Sequence, residues 1–350
     1  MASKLPILTF SLFLGSFLLF FSLIQGGNVL EAQNGPSELK RFEFQGVEMA
    51  VPIRIVLYAP DEETAKRASD AALGRFRDLN ARLSDYDENS EIRQFCDKAF
   101  PGEFVCVGED LWTVLQLAVH HAELSEGAFD PTVGQVVRLW RHARKSRRLP
   151  PEKRIRETLQ TVGWENILFD PEKQAIALSE HGAKYNVRLD LGGIAKGYAI
   201  DEALETMRIL GVSRALVDAG GDVGVGDPPP GTDGWKIGVA SIREGEGPTE
   251  FWTLSNCGVA NSGDMYQYVE IGGKRYSHIV DPKTGLGLTD RLSVSVIAPT
   301  AANADALASA FSVLGPEKAV RLAETLEGVQ TLIHRLAEDG NVQRFGNVAE

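Results

Sequence analysis

The sequence predicts an α+β fold in which helices pack on mixed, largely antiparallel sheets. Residues 51–58 alternate in the manner of a half-buried strand. Residues 65–83 carry apolar side chains at spacings of three and four, which is typical of an amphipathic helix. Residues 266–271 and 274–280 flank a Gly-Gly pair, which favours a tight hairpin. The Gly-x-Gly-x-x-Gly pattern is absent after Leu191, so the Gly-Gly turns do not predict a dinucleotide fold.

Length and composition are those of a globular protein with one large domain or two ordinary ones. The chain has 350 residues, of which 43% are hydrophobic and 24% charged, which is ample for a core. The formal net charge is −12, which excludes a general nucleic-acid binder because phosphate neutralisation needs a surplus of Lys and Arg. The basic run Arg138–Arg148 is expected to be a solvated helix end and loop.

The N-terminus differs from the rest of the chain. Lys4 precedes an apolar stretch at residues 7–24, which resembles a secretory signal peptide with a cut after Ala32. An uncleaved membrane anchor remains open, because the length is borderline. We expect residues 1–35 to be a signal peptide or anchor plus linker, and residues 36–350 to form one domain. That domain is expected to be exported, and either periplasmic or anchored to the outer face of the inner membrane.

The cysteines do not suggest a disulfide scaffold. Only Cys96, Cys106 and Cys257 occur, an odd and sparse set. No cysteine precedes Cys96, which excludes a lipid-anchored N-terminus of the lipobox type. Pairing of Cys96 with Cys106 stays undecided at this point.

The elements of the N-terminal half follow in order. The strand at residues 51–58 leads into the helix at 65–83, whose regular spacing predicts that it packs on a core. The segment Leu83–Ile92 is polar and turn-rich and holds Tyr86, which is either a packing residue or a ligand platform.

A second helix buries its apolar face over residues 111–122. His120 and His121 lie on it, and both are expected at the surface rather than as ligands. Trp164 begins another sheet region, which is expected to run to Asp190.

In the stretch Leu189–Tyr198, Asp190 precedes a Gly-Gly turn, and a helix is predicted to begin directly after that turn. A glycine turn that opens a helix leaves free amides at the positive end of the helix dipole, which suits phosphate binding. Lys196 adds a cation and Asp190 a hydrogen-bond acceptor. An ordinary strand-to-helix turn is the alternative interpretation. The helix is expected to bury Ala199, Ala203, Met207 and Leu210 and to end at Gly211.

The C-terminal half adds two candidate chemical features. His278 lies at a strand end beside a polar turn, where it is either a general base or a structural histidine. The helix at 301–314 places Asp305 and Ser309 on one face, which suits a hard cation such as Mg²⁺ or simply exposes two polar groups to solvent. The remaining elements, expected to be structural, are a strand at 292–297, a helix at 317–326 and a strand at 329–333.

Together, these segments resemble the ApbE family, the FAD:protein FMN transferases. The resemblance covers nearly all of residues 45–335 and rests on motifs in the family's order, namely Leu83–Ile92, Gly127–Gly134, Asp190–Tyr198, Ala215–Asp222, Ala260–Asp264, Tyr276–Gly285 and Ala298–Gly315. It implies a single ApbE-like (T-fold-like) domain. It also implies an enzyme that needs Mg²⁺, moves the FMN half of FAD onto a Thr or Ser hydroxyl of a target redox protein, and releases AMP.

The resemblance assigns roles to individual residues. The implied FAD contacts are Met49, Tyr86, Ala128, Phe129, Asp130, Asp190, Lys196 and His278. The implied metal ligands are the carbonyls of Gly193 and Ala302 and the side chains of Asp305 and Ser309. His278 and Asp281 match a His-x-x-Asp-Pro segment near the reacting phosphate, with His278 as the first candidate base and Asp281 as the second. The sequence departs from the family pattern at Ala50-Val51, where Gly-Thr is usual, and at Ser309, where Thr is more frequent.

Two other functions are the alternatives: a pyrophosphatase would use the same residues, whereas a storage protein would be favoured by loss of the metal site, against which Asp305 with Ser309 argues. In an FAD pyrophosphatase, water takes the place of the acceptor hydroxyl and releases FMN and AMP. In a flavin-binding or storage protein, FAD is held with little turnover. The expected partners are FAD and a redox-complex subunit with an acceptor Thr or Ser, with the N-terminal segment in the membrane if it is uncleaved.

Overall fold

The structure is a computed structural model that describes residues 38–243, 245, 247–248, 250–263 and 267–348. The predicted N-terminal segment 1–35 therefore lies outside the described residues, as do Asp264 and the Tyr266 end of the predicted hairpin. Within the described ranges, no helix has the length and apolar character needed to cross a bilayer.

Most helices lie in the first two thirds of the described chain, and a run of eight strands, β6 to β13, precedes the last two helices. The strands are β1 (Lys40–Glu48), β2 (Val51–Ala59), β3 (Val105–Cys106), β4 (Ile167–Asp170), β5 (Ala175–Leu178), β6 (Ala215–Ala219), β7 (Asp222–Val225), β8 (Trp235–Gly238), β9 (Phe251–Leu254), β10 (Cys257–Gly263), β11 (Tyr268–Ile271), β12 (Lys274–Ser277), β13 (Leu292–Ala298), β14 (Gln330–Leu336) and β15 (Val342–Gly346). The helices are α1 (Glu62–Leu83), α2 (Glu91–Lys98), α3 (Glu109–Leu124), α4 (Gly134–Ser146), α5 (Glu152–Leu159), α6 (Glu180–Lys184), α7 (Ala195–Ile209), α8 (Ala301–Leu314) and α9 (Pro316–Glu324).

One large sheet organises the molecule. Its strand order is β1-β2-β6-β7-β10-β13-β14-β15, and each neighbouring pair is antiparallel. Helices α1, α7 and α8 cover one face and form the main hydrophobic core with it. A smaller cluster on the other face involves the β8–β9 hairpin. The α+β prediction with a largely antiparallel sheet is confirmed.

A third hydrophobic cluster lies apart from the main core. It joins α4 to the β11–β12 hairpin through Trp140 and Tyr276, whose ring centroids are 5.1 Å apart. The Trp140 indole N–H donates to the Gly285 carbonyl at 2.8 Å. This small core therefore holds the hairpin and the turn that follows it.

The helix α1 illustrates how the sequence produces an element. Asp61 caps its first turn, with Oδ1 accepting from the Thr64 amide at 2.8 Å. Small residues and Phe76 form its buried face, and Phe76 is fully buried. The predicted helix and its apolar face are confirmed, as are the predicted strand before it and α8 over residues 301–314.

Several expectations are wrong in detail. Residues 164–190 do not form one sheet region: β4 and β5 join β3 in a small sheet, and α6 follows. The segment Leu83–Ile92 already contains the start of α2, capped by Ser90. Most of the basic run expected as a helix end and loop is helix α4, because its apolar residues have helical spacing.

His121 is the clearest correction of a single residue. It was expected at the surface, but it is only 3% exposed. Its Nε2 lies 3.0 Å from Asn303 Oδ1 on α8, which allows the imidazole to be buried between two helices. His120 is exposed, as expected.

Candidate functional site

The candidate site lies where the loop 190–194 enters α7, beside the first half of α8. Gly197 allows the two helices to approach closely, because a Cβ there would lie 2.1 Å from the Ala301 carbonyl oxygen. No larger residue fits without moving backbone. The close packing brings Lys196 on α7 within reach of Asp305 on α8.

Lys196 is held between two buried carboxylates. Its Nζ lies 3.2 Å from Asp305 Oδ2 and 2.9 Å from Asp222 Oδ2, on strand β7. Burial alone would lower the pKa of this ammonium, but the two carboxylates outweigh it and raise the pKa. Burial also raises the pKa of Asp305, against the opposing effect of Lys196. With two acids and one base, the group retains one negative charge that a further cation can balance.

Oxygen atoms suited to a hard cation lie beside this group. A Cβ on Gly193 would be 2.9 Å from Ser309 Oγ, so the two residues are neighbours. Across the part of the chain that the structure describes, no backbone amide donates to the Gly193 carbonyl and no hydrogen bond engages Ser309 Oγ. Asp305 lies one helical turn before Ser309. A carboxylate, a hydroxyl and a carbonyl without a partner are ligands that Mg²⁺ prefers, so these residues fit that metal.

Asp201 fixes the start of α8 against α7. Its Oδ1 accepts from the Ala301 amide and its Oδ2 from the Ala302 amide, both at 2.8 Å. Burial raises the pKa of Asp201 to about 6. The clamp sets the position of α8 along α7, and therefore that of the Ala302 carbonyl and of Asp305.

An arginine joins the predicted flavin contacts. Arg141 pairs with Asp85, and its Nη2 lies 3.2 Å from Asp190 Oδ2. Its guanidinium carbon lies 3.9 Å from the centroid of the Tyr86 ring, and Tyr86 is 74% exposed. Burial, with Asp85, raises the pKa of Asp190, while Arg141 opposes the rise. Tyr86 therefore presents an aromatic surface to solvent beside a buried acid–arginine pair, which suits a planar ring.

The segment 128–130 packs against the loop 190–194. Ala128 and Phe129 are buried, and a Cβ on Gly193 would lie 3.2 Å from Phe129 Cε2. Asp130 Oδ1 accepts from both the amide and the hydroxyl of Thr132, at 2.8 and 2.5 Å, so the carboxylate closes its own turn. Burial raises the pKa of Asp130 to about 6.

His278 follows the β11–β12 hairpin and is half-buried. Its Nδ1 lies 3.1 Å from the Gln267 carbonyl oxygen. Because a carbonyl only accepts, Nδ1 carries the proton and the Nε2 lone pair is left free. Burial lowers the pKa of His278 to about 4 against this hydrogen bond, and Arg144 and Lys196 act in the same direction as burial. The ring is therefore neutral at pH 7.

Asp281 is placed differently from His278. Its Oδ1 accepts from the Lys283 amide at 2.8 Å, and its Oδ2 accepts from the Thr284 hydroxyl at 2.9 Å. Both oxygens thus close the turn that Asp281 begins. The carboxylate shapes the segment after His278 and is less available as a base.

Met49 lies in the β1–β2 turn, where Met49 and Ala50 both have positive φ, at +50° and +59°. Its side chain packs against the main core. The register pairs Ile53 with Ala219, and Ala219 with Asp222, so this turn is at the end of the sheet that carries Asp222. Its relation to the other predicted residues is therefore its position at the same end of the sheet as Asp222.

Sequence reasoning gave no role to four residues of this site: Asp201, Asp222, Asn261 and Arg141. Asn261 donates its amide to Asp222 Oδ1 and its side-chain nitrogen to the Gly221 carbonyl, both at 3.0 Å. Asp222 follows a Gly-Gly pair at the end of the motif Ala215–Asp222. Asn261 lies in the motif Ala260–Asp264, which precedes the predicted hairpin. Arg141 was hidden in the basic run, where only helix periodicity could have shown that it faces inward.

Known proteins share this architecture. The ApbE protein of Thermotoga maritima matches with a TM-score of 0.77 at 32% identity, over 87% of this chain and 97% of that one. The flavin transferase ApbE of Vibrio cholerae matches with a TM-score of 0.77 at 25% identity, over 89% and 98%. The FAD:protein FMN transferase of Haemophilus influenzae is 33% identical over 266 residues, 75% of this chain and 76% of that protein. The profile of the ApbE family matches residues 49–333.

The chain belongs to the ApbE family. The resemblance inferred from seven sequence motifs is thereby confirmed. The span matched by the ApbE profile runs from Met49, in the β1–β2 turn, past Ser309 on α8, so it includes the predicted site residues. The roles of those residues in this ApbE chain rest on the geometry described above.

Proposed function

We propose that this chain transfers the FMN moiety of FAD to a Thr or Ser hydroxyl of a target redox protein and releases AMP. One observation carries the proposal: Gly193, Lys196, Asp305 and Ser309 converge at the start of α7. The positive charge of Lys196 contributes to the lowered pKa of His278, which supports the proximity of the two side chains. The printed names of the relatives, FAD:protein FMN transferase and flavin transferase, support it.

The start of α7 is the proposed binding site for the diphosphate of FAD. The Gly197 amide donates to Asp305 Oδ2, whereas within the described ranges the amides of Gly193 and Lys196 donate to no group, so these two are available to phosphate oxygens. Lys196 adds a fixed positive charge beside them. Tyr86 and Asp190, which Arg141 holds, are proposed to bind a ring of the substrate. The segment 128–130 is proposed to contact the same ring.

We propose that Mg²⁺ is held by the carbonyls of Gly193 and Ala302 and by the side-chain oxygens of Asp305 and Ser309. Once bound, the metal would neutralise diphosphate charge and stabilise the AMP leaving group. Lys196 contributes to the same neutralisation from the protein side.

The transfer step is a displacement at phosphorus. The acceptor hydroxyl oxygen forms a bond to the phosphorus that carries the FMN half, and the bond from that phosphorus to the bridging oxygen breaks. AMP leaves with the bridging oxygen. The hydroxyl proton moves to Nε2 of His278, which is neutral and has a free lone pair because Nδ1 donates to Gln267. Asp281 is the weaker candidate because its oxygens are engaged in its own turn.

We also propose export of the domain, on the basis of the apolar stretch at residues 7–24 alone. The acceptor would then present its Thr or Ser outside the cytoplasm, either to a periplasmic enzyme or to one held at the outer face of the inner membrane.

The test is an incubation of the chain with FAD, Mg²⁺ and a redox subunit that carries an exposed acceptor Thr or Ser. Flavin fluorescence of the acceptor band on a denaturing gel and release of AMP are followed together. We expect a fluorescent acceptor and AMP, both reduced about 10²-fold or more in Asp305→Asn. Asp339→Asn, in the exposed turn before β15, is the matched control and should retain the wild-type rate.

The other outcomes distinguish the alternatives. Release of AMP and free FMN, without labelling of any of several acceptors, would indicate a pyrophosphatase. Binding of FAD without any AMP would indicate a flavin-binding protein. Either result would overturn the transferase proposal.

A further inference from the structure

Three arginines from separate parts of the chain lie near one another beside the candidate site. Helix α4 begins beside Arg188, whose carbonyl accepts from the Gly134 amide at 3.0 Å, and Arg138 lies one turn further along α4. Arg93 lies on α2, Arg138 on α4, and Arg188 shortly before the loop 190–194. Asp97 pairs with two of them: its Oδ2 lies 3.6 Å from Arg93 Nη2, and its Oδ1 accepts from Arg188. We call Arg93, Arg138 and Arg188 the arginine cluster.

Arg138 is the member without a partner. Throughout the described ranges, no residue forms a hydrogen bond or ion pair with its half-buried side chain. Burial lowers its pKa, and the charges of Arg93 and Arg188 lower it further. Asp85, which acts in the opposite direction, is already paired with Arg141. Together with Arg141 and its two carboxylates, the connected group has four guanidiniums and three carboxylates, which leaves one unbalanced positive charge.

The cluster also contains hydrogen-bond donors that nothing satisfies. The Nε atoms of Arg93 and Arg188 are buried and have no partner. A buried donor without an acceptor is costly, and like charges at close range repel. An anion with several oxygen atoms would relieve the repulsion, and the half-buried side chain of Arg138 gives it access to the cluster.

We propose that the arginine cluster binds a phosphate-bearing anion, at a place distinct from the proposed Mg²⁺ ligands. Guanidinium groups bind phosphate oxygens through paired hydrogen bonds, and the unbalanced positive charge favours an anion. Inorganic phosphate and the phosphate group of AMP share this chemistry. The second source rests on the proposed function, because AMP is the product of that reaction.

The cluster is linked to the predicted FAD contacts through one residue. Arg93 Nη1 donates to the Asp85 carbonyl at 3.2 Å, and the Asp85 carboxylate binds Arg141. Arg141 in turn lies on Tyr86 and pairs with Asp190. An anion in the cluster therefore acts on the same residues that are proposed to receive the substrate ring.

The test measures anion binding by the full chain without FAD. Melting temperature and calorimetric titration are recorded with sodium phosphate, AMP and adenosine, each against sodium chloride of equal ionic strength. Phosphate or AMP should bind wild type and Lys145→Gln, a control on the same helix whose exposed side chain carries the same charge. Arg138→Gln should weaken that binding at least about tenfold.

The melting temperature of Arg138→Gln without added phosphate or AMP is an independent test. Arg138→Gln should melt no lower than wild type at low salt, because it removes repulsion and no hydrogen bond. A loss of stability that is equal with and without phosphate would show a packing role and overturn the proposal. Binding that is unchanged in Arg138→Gln, or no binding beyond chloride, would overturn it too.

The ligands separate the two sources. AMP binding about tenfold tighter than phosphate, with no binding of adenosine, supports the product as the occupant. Equal affinities support free phosphate. Because no arm uses FAD or an acceptor, failure of the flavin transfer assay would leave the phosphate result standing.

Discussion

His278 combines a fixed proton on one nitrogen with a lone pair on the other. Its Nδ1 donates to the Gln267 carbonyl, and burial lowers its pKa to about 4, with Arg144 and Lys196 contributing. Only the deprotonated ring can act as a base, so a lowered pKa keeps the base form present to lower pH.

The pH dependence of transfer should show this. With FAD and Mg²⁺ both saturating, so that bound metal offsets protonation of Asp305 and Asp201, we expect the rate to stay nearly constant from pH 7 to pH 5 and to fall as the pH approaches about 4. The measurement is kcat for AMP release in a series of buffers at constant ionic strength. A fall centred near pH 6.5, the usual value for histidine, would contradict the prediction.

Gly193 is required because its neighbours leave no room for a side chain. A Cβ there would lie 2.9 Å from Ser309 Oγ and 3.2 Å from Phe129 Cε2. Gly193→Ala should therefore displace Ser309 and weaken Mg²⁺ binding about tenfold or more, with a stability loss of about 1–3 kcal/mol from overpacking.

Calorimetric titration with Mg²⁺ in the presence of FAD would measure that loss of affinity. Gly74→Ala is the matched control, because Gly74 lies within α1 with only Arg77 Nη2 nearby, at 3.7 Å. It should leave Mg²⁺ affinity unchanged and raise stability by up to about 1 kcal/mol. Equal Mg²⁺ affinity in Gly193→Ala and wild type would remove Gly193 and Ser309 from the metal site.

At the scale of elements, the position of α8 depends on a side chain of α7. Asp201 accepts hydrogen bonds from two amides in the first turn of α8. Asp201→Ala should cost about 2 kcal/mol or more, because both donors lose their partner. It should also raise the Mg²⁺ concentration needed for half-maximal AMP release.

The control for this prediction is the cap of another helix. Asp61→Ala removes the cap of α1 and should cost about 1 kcal/mol without changing the dependence on Mg²⁺. Chemical denaturation gives the stability of both variants. If Asp61→Ala and Asp201→Ala changed the Mg²⁺ dependence equally, Asp201 would be a general stabiliser and not a positioning residue.

Elements with strong local signals could be predicted from the sequence. The helices α1 and α8 have regular apolar spacing and a capping residue, Asp61 or Thr300. The edge strands β1 and β15 were missed, because their exposed or half-exposed positions give a weak apolar signal. Periodicity also failed for residues 187–191: Val187, Leu189 and Leu191 alternate with charged residues as in a strand, but they are buried beside the site without forming one.

The sequence predicted those parts of the site whose residues lie close together along the chain. Asp305 and Ser309 share a helix face by spacing alone. Arg141 and Asp201 act through partners 49 and 100 residues away, namely Asp190 and Ala301, so only the folded chain shows them. Asp130 and Asp281 look like site carboxylates in sequence, yet their oxygens close local turns.

At the scale of the whole molecule, binding should appear as stability. A ligand at one hundred times its dissociation constant adds about 2.7 kcal/mol. For a domain of this size, that corresponds to a rise in melting temperature of about 4 °C. We expect FAD with Mg²⁺ to produce such a rise, and EDTA to reduce it, in a thermal melt followed by circular dichroism. An unchanged melting temperature at saturating FAD would contradict the proposed substrate.

The third hydrophobic cluster divides the site between two bodies of structure. Lys196 and Asp305 lie on α7 and α8, which pack in the main core, whereas Arg141 and His278 lie on α4 and in the segment after the β11–β12 hairpin. Changes within the hairpin therefore leave the large sheet intact. A change of packing between Trp140 and Tyr276 would therefore move the His278 imidazole relative to Lys196 while the contact between α7 and α8 stays in place.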